Sequence, residues 1–286
     1  MEGCSGSTFV KQVLRRLLPC CIGDQYRDGG IPDGTTDWEM FKGPKNLAYQ
    51  RLVSQGATDP WRKALLQQCN ANKLSGTAYI VNSDLASGSA PLEMTHPALV
   101  ACGARFASAY RENALDVTTC EVRDCFWTEF GLSLDARGQP LSKLTRGYDT
   151  SCFYRSRYSG MRPRVKLHVE TLQSALGRSQ TLRRPESIAG RLAPLGIKTD
   201  SVRYEDLEAF QFGPEEMERS APAWATLMRS WGYRDVCPPS AVAKCLTGFN
   251  MSRHRPSPHR ESIVNHEEVY QGLTKEQREM WWRGPP

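Results

Sequence analysis

The residues Gly3-Cys4-Ser5-Gly6-Ser7-Thr8-Phe9 stand directly before a run in which Val10, Val13, Leu14, Leu17 and Leu18 recur at helical spacing. A glycine-rich turn that feeds a helix aims its backbone N–H groups at the positive end of the helix dipole, where a phosphate or sulfate is held. The hydroxyls of Ser7 and Thr8 add donors. The run lacks the Gly-Lys-Ser/Thr ending and the four-residue glycine gap of nucleoside-triphosphatase loops, so it predicts an anion cradle of a different kind. Farther along, His96 in Met94-Thr95-His96-Pro97 offers an imidazole that titrates near neutrality and suits proton abstraction. Arg111 follows a predicted strand, and the hydroxyl of Thr119 comes eight residues after it.

These groups need elements to hold them. The chain predicts a short amphipathic helix closed by Pro19, a turn-rich loop over 23–34, a helical region over 44–69 and a buried strand at 78–81. A helix over 97–102 and a strand over 105–110 follow. The stretch 133–163 is rich in Arg, Tyr, Ser and Gly without clear periodicity, and it reads as a mobile or substrate-facing insertion. A helix is expected around 164–177, a strand over 197–203, and a helix over 214–231 that starts or breaks at Pro222. Strands alternating with helices imply a parallel sheet. The closing Trp281-Trp282-Arg283-Gly284-Pro285-Pro286 reads as a frayed tail.

Taken in order along the chain, several short motifs resemble those of sulfotransferases that use 3′-phosphoadenosine-5′-phosphosulfate (PAPS). Gly3–Phe9 resembles their phosphosulfate loop, and Met94-Thr95-His96-Pro97 resembles the segment whose His removes the acceptor proton. Arg111 and Thr119 match the Arg and Ser, eight residues apart, that grip the 3′-phosphate. Val202-Arg203-Tyr204-Glu205-Asp206-Leu207 resembles the segment that runs from a late strand toward the nucleotide, with Tyr204 near the adenine. Ile263-Val264-Asn265-His266-Glu267-Glu268-Val269 resembles a closing helix of bacterial and carbohydrate-type members. Before it, Arg253, His254, Arg255, His259 and Arg260 are placed to close over the 3′-phosphate. A rival phosphate ligand is Arg123, in Val122-Arg123-Asp124-Cys125.

The resemblance implies an α/β fold, a single P-loop-type domain over 1–282 with a mostly parallel sheet flanked by helices and a tail at 283–286. It implies PAPS as cosubstrate, no metal, and a small-molecule or carbohydrate acceptor of unspecified identity. In the family the loop is fed by a strand, so an upstream segment is expected to supply one before Glu2. Cys4 and Met94 stand where relatives carry cationic residues, which leaves open a second class, an inactive relative that binds a nucleotide or a glycan.

Composition bounds the partners. The formal net charge is +6, with the basic residues scattered rather than massed, which suits phosphates, sulfates or acidic sugars and disfavours nucleic acid. No apolar run reaches the roughly 20 residues of a membrane helix. The ten cysteines form no CxxC pair, which disfavours zinc, and they show no repeating disulfide spacing; Cys120 and Cys125 read as structural. As given, the chain reads as soluble and cytoplasmic, with the Golgi lumen as the alternative should an upstream anchor precede it. The sequence sets no oligomeric state.

Overall fold

The computed structural model describes Val10, Val13, Leu14 and Leu17 and residues 106–158, 163–183, 185–206, 214–232, 237–246 and 258–284. The elements in chain order begin with β1 (Phe106–Tyr110), α1 (Ala114–Arg123), β2 (Gly131–Leu134), α2 (Thr150–Tyr158) and β3 (Arg164–Leu167). A 3-10 turn at Val169–Thr171 leads into α3 (Leu172–Arg183), then α4 (Pro185–Leu192), a 3-10 turn at Ala193–Leu195 and β4 (Thr199–Arg203). The rest is helical: α5 (Pro214–Ser230), α6 (Pro239–Leu246), α7 (His259–Ser262), α8 (His266–Gly272) and α9 (Lys275–Trp281). The fold is α/β: β1 and β4 make a small parallel sheet, β2 and β3 an antiparallel one, and helices flank the strands. The chain groups into two compact units, Met1–Tyr110 with Pro185–Ser252, and Arg111–Arg184 with Arg253–Pro286.

In the first unit the strands align Phe106 with Thr199 through to Tyr110 with Arg203. Side chains alternate across a strand, so Ala107, Ala109, Asp200 and Val202 share a face. That face belongs to a core completed by Ala221, Trp224, Ala225 and Met228 of α5, which recur at the three- and four-residue spacing of one helical stripe. Val10, Val13, Leu14 and Leu17 are helical and buried in the same core. The Trp231 indole Nε1 donates to Asp200 Oδ2 at 2.7 Å. Pro222 sits inside α5 and is exposed, so the helix neither starts nor breaks there. The stripe on the opposite face outweighs the helix-interior penalty of proline, about 3 kcal/mol.

The second unit packs α1, α3, α8 and α9 against the β2–β3 hairpin. Its core takes Leu115 and Val122 from α1, Val165 and Leu167 from β3, Leu172 and Leu176 from α3, and Val269, Leu273 and Trp281 from the end of the chain. Residues 164–167 are a strand rather than the expected helix. Val165 and Leu167 are buried while Arg164 and Lys166 are exposed, a period of two that fits a half-buried sheet, and the helix begins only at Leu172. The Asn265 side chain extends this sheet edge, accepting from Leu167 N at 3.1 Å and donating to Leu167 O at 2.8 Å.

The segment 133–163 contains the end of β2, all of α2 and Cys152, which is disulfide-bonded to Cys125 with Cα atoms 5.9 Å apart. Cys120, Cys237 and Cys245 are disulfide-bonded as well, and no described cysteine is free. The tail reading is corrected through Arg283. Trp281 is buried in the core, and the Trp282 ring packs 5.0 Å from His259 and 5.1 Å from Tyr270. A capping box of Thr274 and Gln277 starts α9 and so delivers these side chains inward. Among the described residues no helix is long and apolar enough to cross a membrane.

Gly131 marks the tightest approach in the hairpin, since a Cβ there would lie 2.5 Å from the Lys166 carbonyl oxygen and 3.0 Å from a Val122 methyl. Both neighbours are held, one by the sheet and one by the core. Gly131→Ala should therefore lower the unfolding free energy by about 1–3 kcal/mol, read as an earlier urea midpoint at unchanged m-value.

Candidate functional site

The turn and helix that open the second unit, directly after β1 in the chain, carry the groups of interest. Arg111 follows β1, Asn113 caps α1, and Thr119 lies in the helix's second turn. The Asn113 Oδ1 accepts from Asp116 N at 3.0 Å, which satisfies one of the orphan donors of the helix start, and its Nδ2 donates to the Trp281 carbonyl at 2.9 Å. One residue thus orients the helix N-terminus and ties it to the end of α9.

Asp116 is the electrostatic centre of this region. His259 Nε2 lies 2.9 Å from its Oδ1, and the Arg283 guanidinium bonds the same oxygen. The backbone N–H of Arg283 donates to His259 Nδ1 at 2.9 Å. A backbone N–H can only donate, so Nδ1 is the acceptor and Nε2 carries the proton given to Asp116. Both ring nitrogens are engaged and the ring is 1% exposed, so His259 positions the C-terminal segment and is not free to act as a base or to close over a phosphate. Burial alone would raise the Asp116 carboxyl. The His259 hydrogen bond and the Arg283 and Arg111 charges outweigh it and hold the group below its ordinary value.

Of the residues expected to bind the cosubstrate, Gly3, Cys4, Ser5, Gly6, Ser7, Thr8, Phe9 and Arg255 lie outside the described residues, as does His96. Arg111 is half-buried, and its charge acts on Asp116. Thr119 is buried, and its Oγ1 has no hydrogen-bond partner among the described residues. The neighbouring Thr118 is instead paired with Ser179 at 3.1 Å. Tyr204 packs within the core of the first unit, and its backbone N–H donates to the Tyr110 carbonyl at 2.8 Å. Arg123 sits at the opposite end of α1 from Arg111, roughly 15 Å along the axis at 1.5 Å per residue. Its guanidinium is occupied locally, with Nη2 3.2 Å from Cys120 Sγ and Nε 3.8 Å from Asp124 Oδ1.

The sequence reading passed over Asp116 as a partner for His259 and Arg283, because the residues stand 143 and 167 positions apart. The signal it could have used is Asn113 followed three residues later by Asp116, a helix start that places a carboxylate in the first turn. In the first unit a cavity of about 140 Å³ is lined by Asp200, Arg203, Asp206, Trp224, Leu227 and others, and the Arg203–Asp206 ion pair stands at its wall.

Because the folded Asp116 value is depressed, its contribution to stability is complete above the unfolded carboxylate value of about 3.9 and is lost as pH falls below it. Urea midpoints followed downward from neutral pH should hold and then drop below about pH 4. Asp116→Asn should lower the midpoint at neutral pH and flatten that drop; an unchanged slope would remove the carboxylate from this role.

No family model, curated protein or solved structure matches this chain.

Proposed function

We propose that the chain is a sulfotransferase that moves a sulfuryl group from PAPS to an acceptor hydroxyl or amine. The observation that carries this reading is the connection from β1 into α1. An arginine leaves the end of a parallel strand, a capped helix N-terminus follows at once, and a buried hydroxyl without a described partner comes eight residues after the arginine. A planar guanidinium and the helix dipole both favour a phosphate. Asp116, whose Oδ1 is bonded by His259 and Arg283, lies close enough to Arg111 to feel its charge.

In this reading Gly3–Phe9 hold the phosphosulfate, and Arg111 with Thr119 takes the 3′-phosphate. Tyr204 acts through the strand end that it anchors. His96 accepts the proton of the acceptor as its oxygen or nitrogen forms a bond to sulfur. The bond from sulfur to the bridging phosphate oxygen breaks, and the adenosine bisphosphate leaves with the electron pair. Such a transfer depends on positioning and on stabilising charge more than on covalent chemistry by the protein. The fully oxidised set of described cysteines favours an oxidising compartment, such as the Golgi lumen, over the cytoplasm.

Adenosine 3′,5′-bisphosphate should raise the melting temperature more than ATP does at equal concentration, since only a ligand of the folded state stabilises it. Equal shifts would leave a generic anion loop. Arg111→Ala should weaken bisphosphate binding by about 1.5–3 kcal/mol in calorimetric titration, the range for a hydrogen bond to a charged group, while Arg123→Ala leaves it unchanged. The reverse order would make Arg123 the phosphate ligand. His96→Ala should cut turnover by about 10²–10⁴-fold with nucleotide affinity retained.

A further inference from the structure

The cavity between β4 and α5 of the first unit contains none of the residues assigned to sulfuryl transfer. Its apolar lining comes from Val202, Trp224 and Leu227, all buried. Its polar lining is dominated by acceptors. Asp200 takes the Trp231 indole N–H on Oδ2 at 2.7 Å, and its Oδ1 meets no donor among the described residues. Asp206 receives Arg203 Nε, at 2.9 Å, and Nη2 on the single oxygen Oδ1, and its Oδ2 is likewise unmet among the described residues. Two further lining residues, Thr226 and Ser230, spend their hydroxyl protons on the Pro222 and Leu227 carbonyls, each at 2.8 Å, which leaves them only lone pairs to offer.

Charge points the same way. The lining holds two carboxylates against one guanidinium, so it is net negative on a chain whose formal net charge is +6. The guanidinium of Arg203 is already committed to Asp206. With a volume of about 140 Å³ the cavity is close in size to one of about 150 Å³ that admits benzene, so a guest of about five or six heavy atoms fits.

We propose that this cavity binds a primary alkylammonium group carried on a chain of about four carbons. An ammonium brings three donors and no acceptor, which answers the unmet oxygens of Asp200 and Asp206 and the lone pairs of Thr226 and Ser230. Its methylenes lie against Val202, Trp224 and Leu227, as the stem of a lysine lies on apolar surface. A bare metal ion would leave that apolar side without a partner. A nitrogen held in this way is protonated and has no lone pair to attack sulfur, so the site is separate from any amine acceptor, and the inference does not rest on the transfer reaction.

The test titrates the full chain, without nucleotide, with n-butylammonium and with its uncharged isostere n-butanol, read by ligand-detected NMR at about 150 mM salt, where loose surface charge is largely screened. Butylammonium is expected to bind, and butanol roughly tenfold or more weakly, the factor for losing a hydrogen bond to a charged group. Asp200→Asn keeps an oxygen for the Trp231 indole and removes only the charge; it should weaken butylammonium roughly tenfold and leave butanol unchanged. Should that variant fold poorly, Asp206→Asn, at an exposed position, still decides, with an expected loss of about three- to tenfold. Glu186→Gln, on the exposed surface of α4, should change nothing. Acetyl-lysine methylamide binding more tightly than butylammonium would assign the site to a lysine side chain of a peptide, and weaker binding to a free amine. Absence of butylammonium binding overturns the proposal. So does equal binding of butanol, an unchanged affinity in both aspartate variants, or an equal loss from Glu186→Gln.

Discussion

A carboxylate taken out of water must be met by donors, and in the second unit that requirement is concentrated at Asp116. Its partners are His259 and Arg283, far along the chain, and the helix start that presents it is capped by Asn113, which also holds the Trp281 carbonyl. These bonds join two stretches of sequence that are otherwise separated by the whole of the first unit's second half. The apolar contacts of Leu115, Val122 and Trp281 pack around them. Burial supplies most of the stabilisation, but it is not directional; the Asp116 cluster decides which face of α1 meets α7 and the end of α9. Breaking such a buried pair on one side typically costs about 3–5 kcal/mol, a large share of the stability of any domain.

The disulfide-closed stretch works on a different principle. The Cys125–Cys152 bond closes a segment of 27 residues, and in the chain-entropy account a loop of that length contributes about 3–4 kcal/mol by restricting the unfolded chain. Cys125 has φ 61°, an uncommon conformation for a residue with a side chain, and it lies just after the C-cap of α1 where the chain must reverse. The turn, the crosslink and the hydrogen bonds that Asp149 accepts from Ser142, Lys143, Ser151 and Cys152 fix the stretch in which Phe126, Tyr148, Phe153 and Tyr154 pack ring against ring.

Local pattern carried much of this architecture. Phe106–Tyr110 and Thr199–Arg203 were legible as strands and Pro214–Ser230 as a helix, because each is bounded by turn residues and has one dominant period. The helical residues Val10, Val13, Leu14 and Leu17 were legible for the same reason. Arg164–Leu167 was not, since four residues give too few repeats to separate a period of two from the helix that follows. The closing segment resembles a family motif, and its side chains answer to packing: Ile263 and Val269 are core, and Asn265 completes a sheet edge. The docking of Trp281 and Arg283 depends on partners more than 100 residues away, which no local rule reaches. Pairing among cysteines is hidden for the same reason. Of the residues proposed to bind an anion, Arg111 was readable at a strand end, whereas the Asp116 network is a tertiary fact.

The separation between Asp116 and its partners also sets an order of events during synthesis. A ribosome adding roughly 5–20 residues per second needs on the order of ten to thirty seconds to reach Arg283 after it has made Asp116, 167 positions earlier. During that interval α1 has neither the guanidinium nor the imidazole that its carboxylate requires, so the second unit cannot close. Cys125 and Cys152 face no such wait, being 27 residues apart. The covalent staple can thus form on a nascent chain whose surrounding unit is still open, and the segment it closes is pinned before the core around α1 exists.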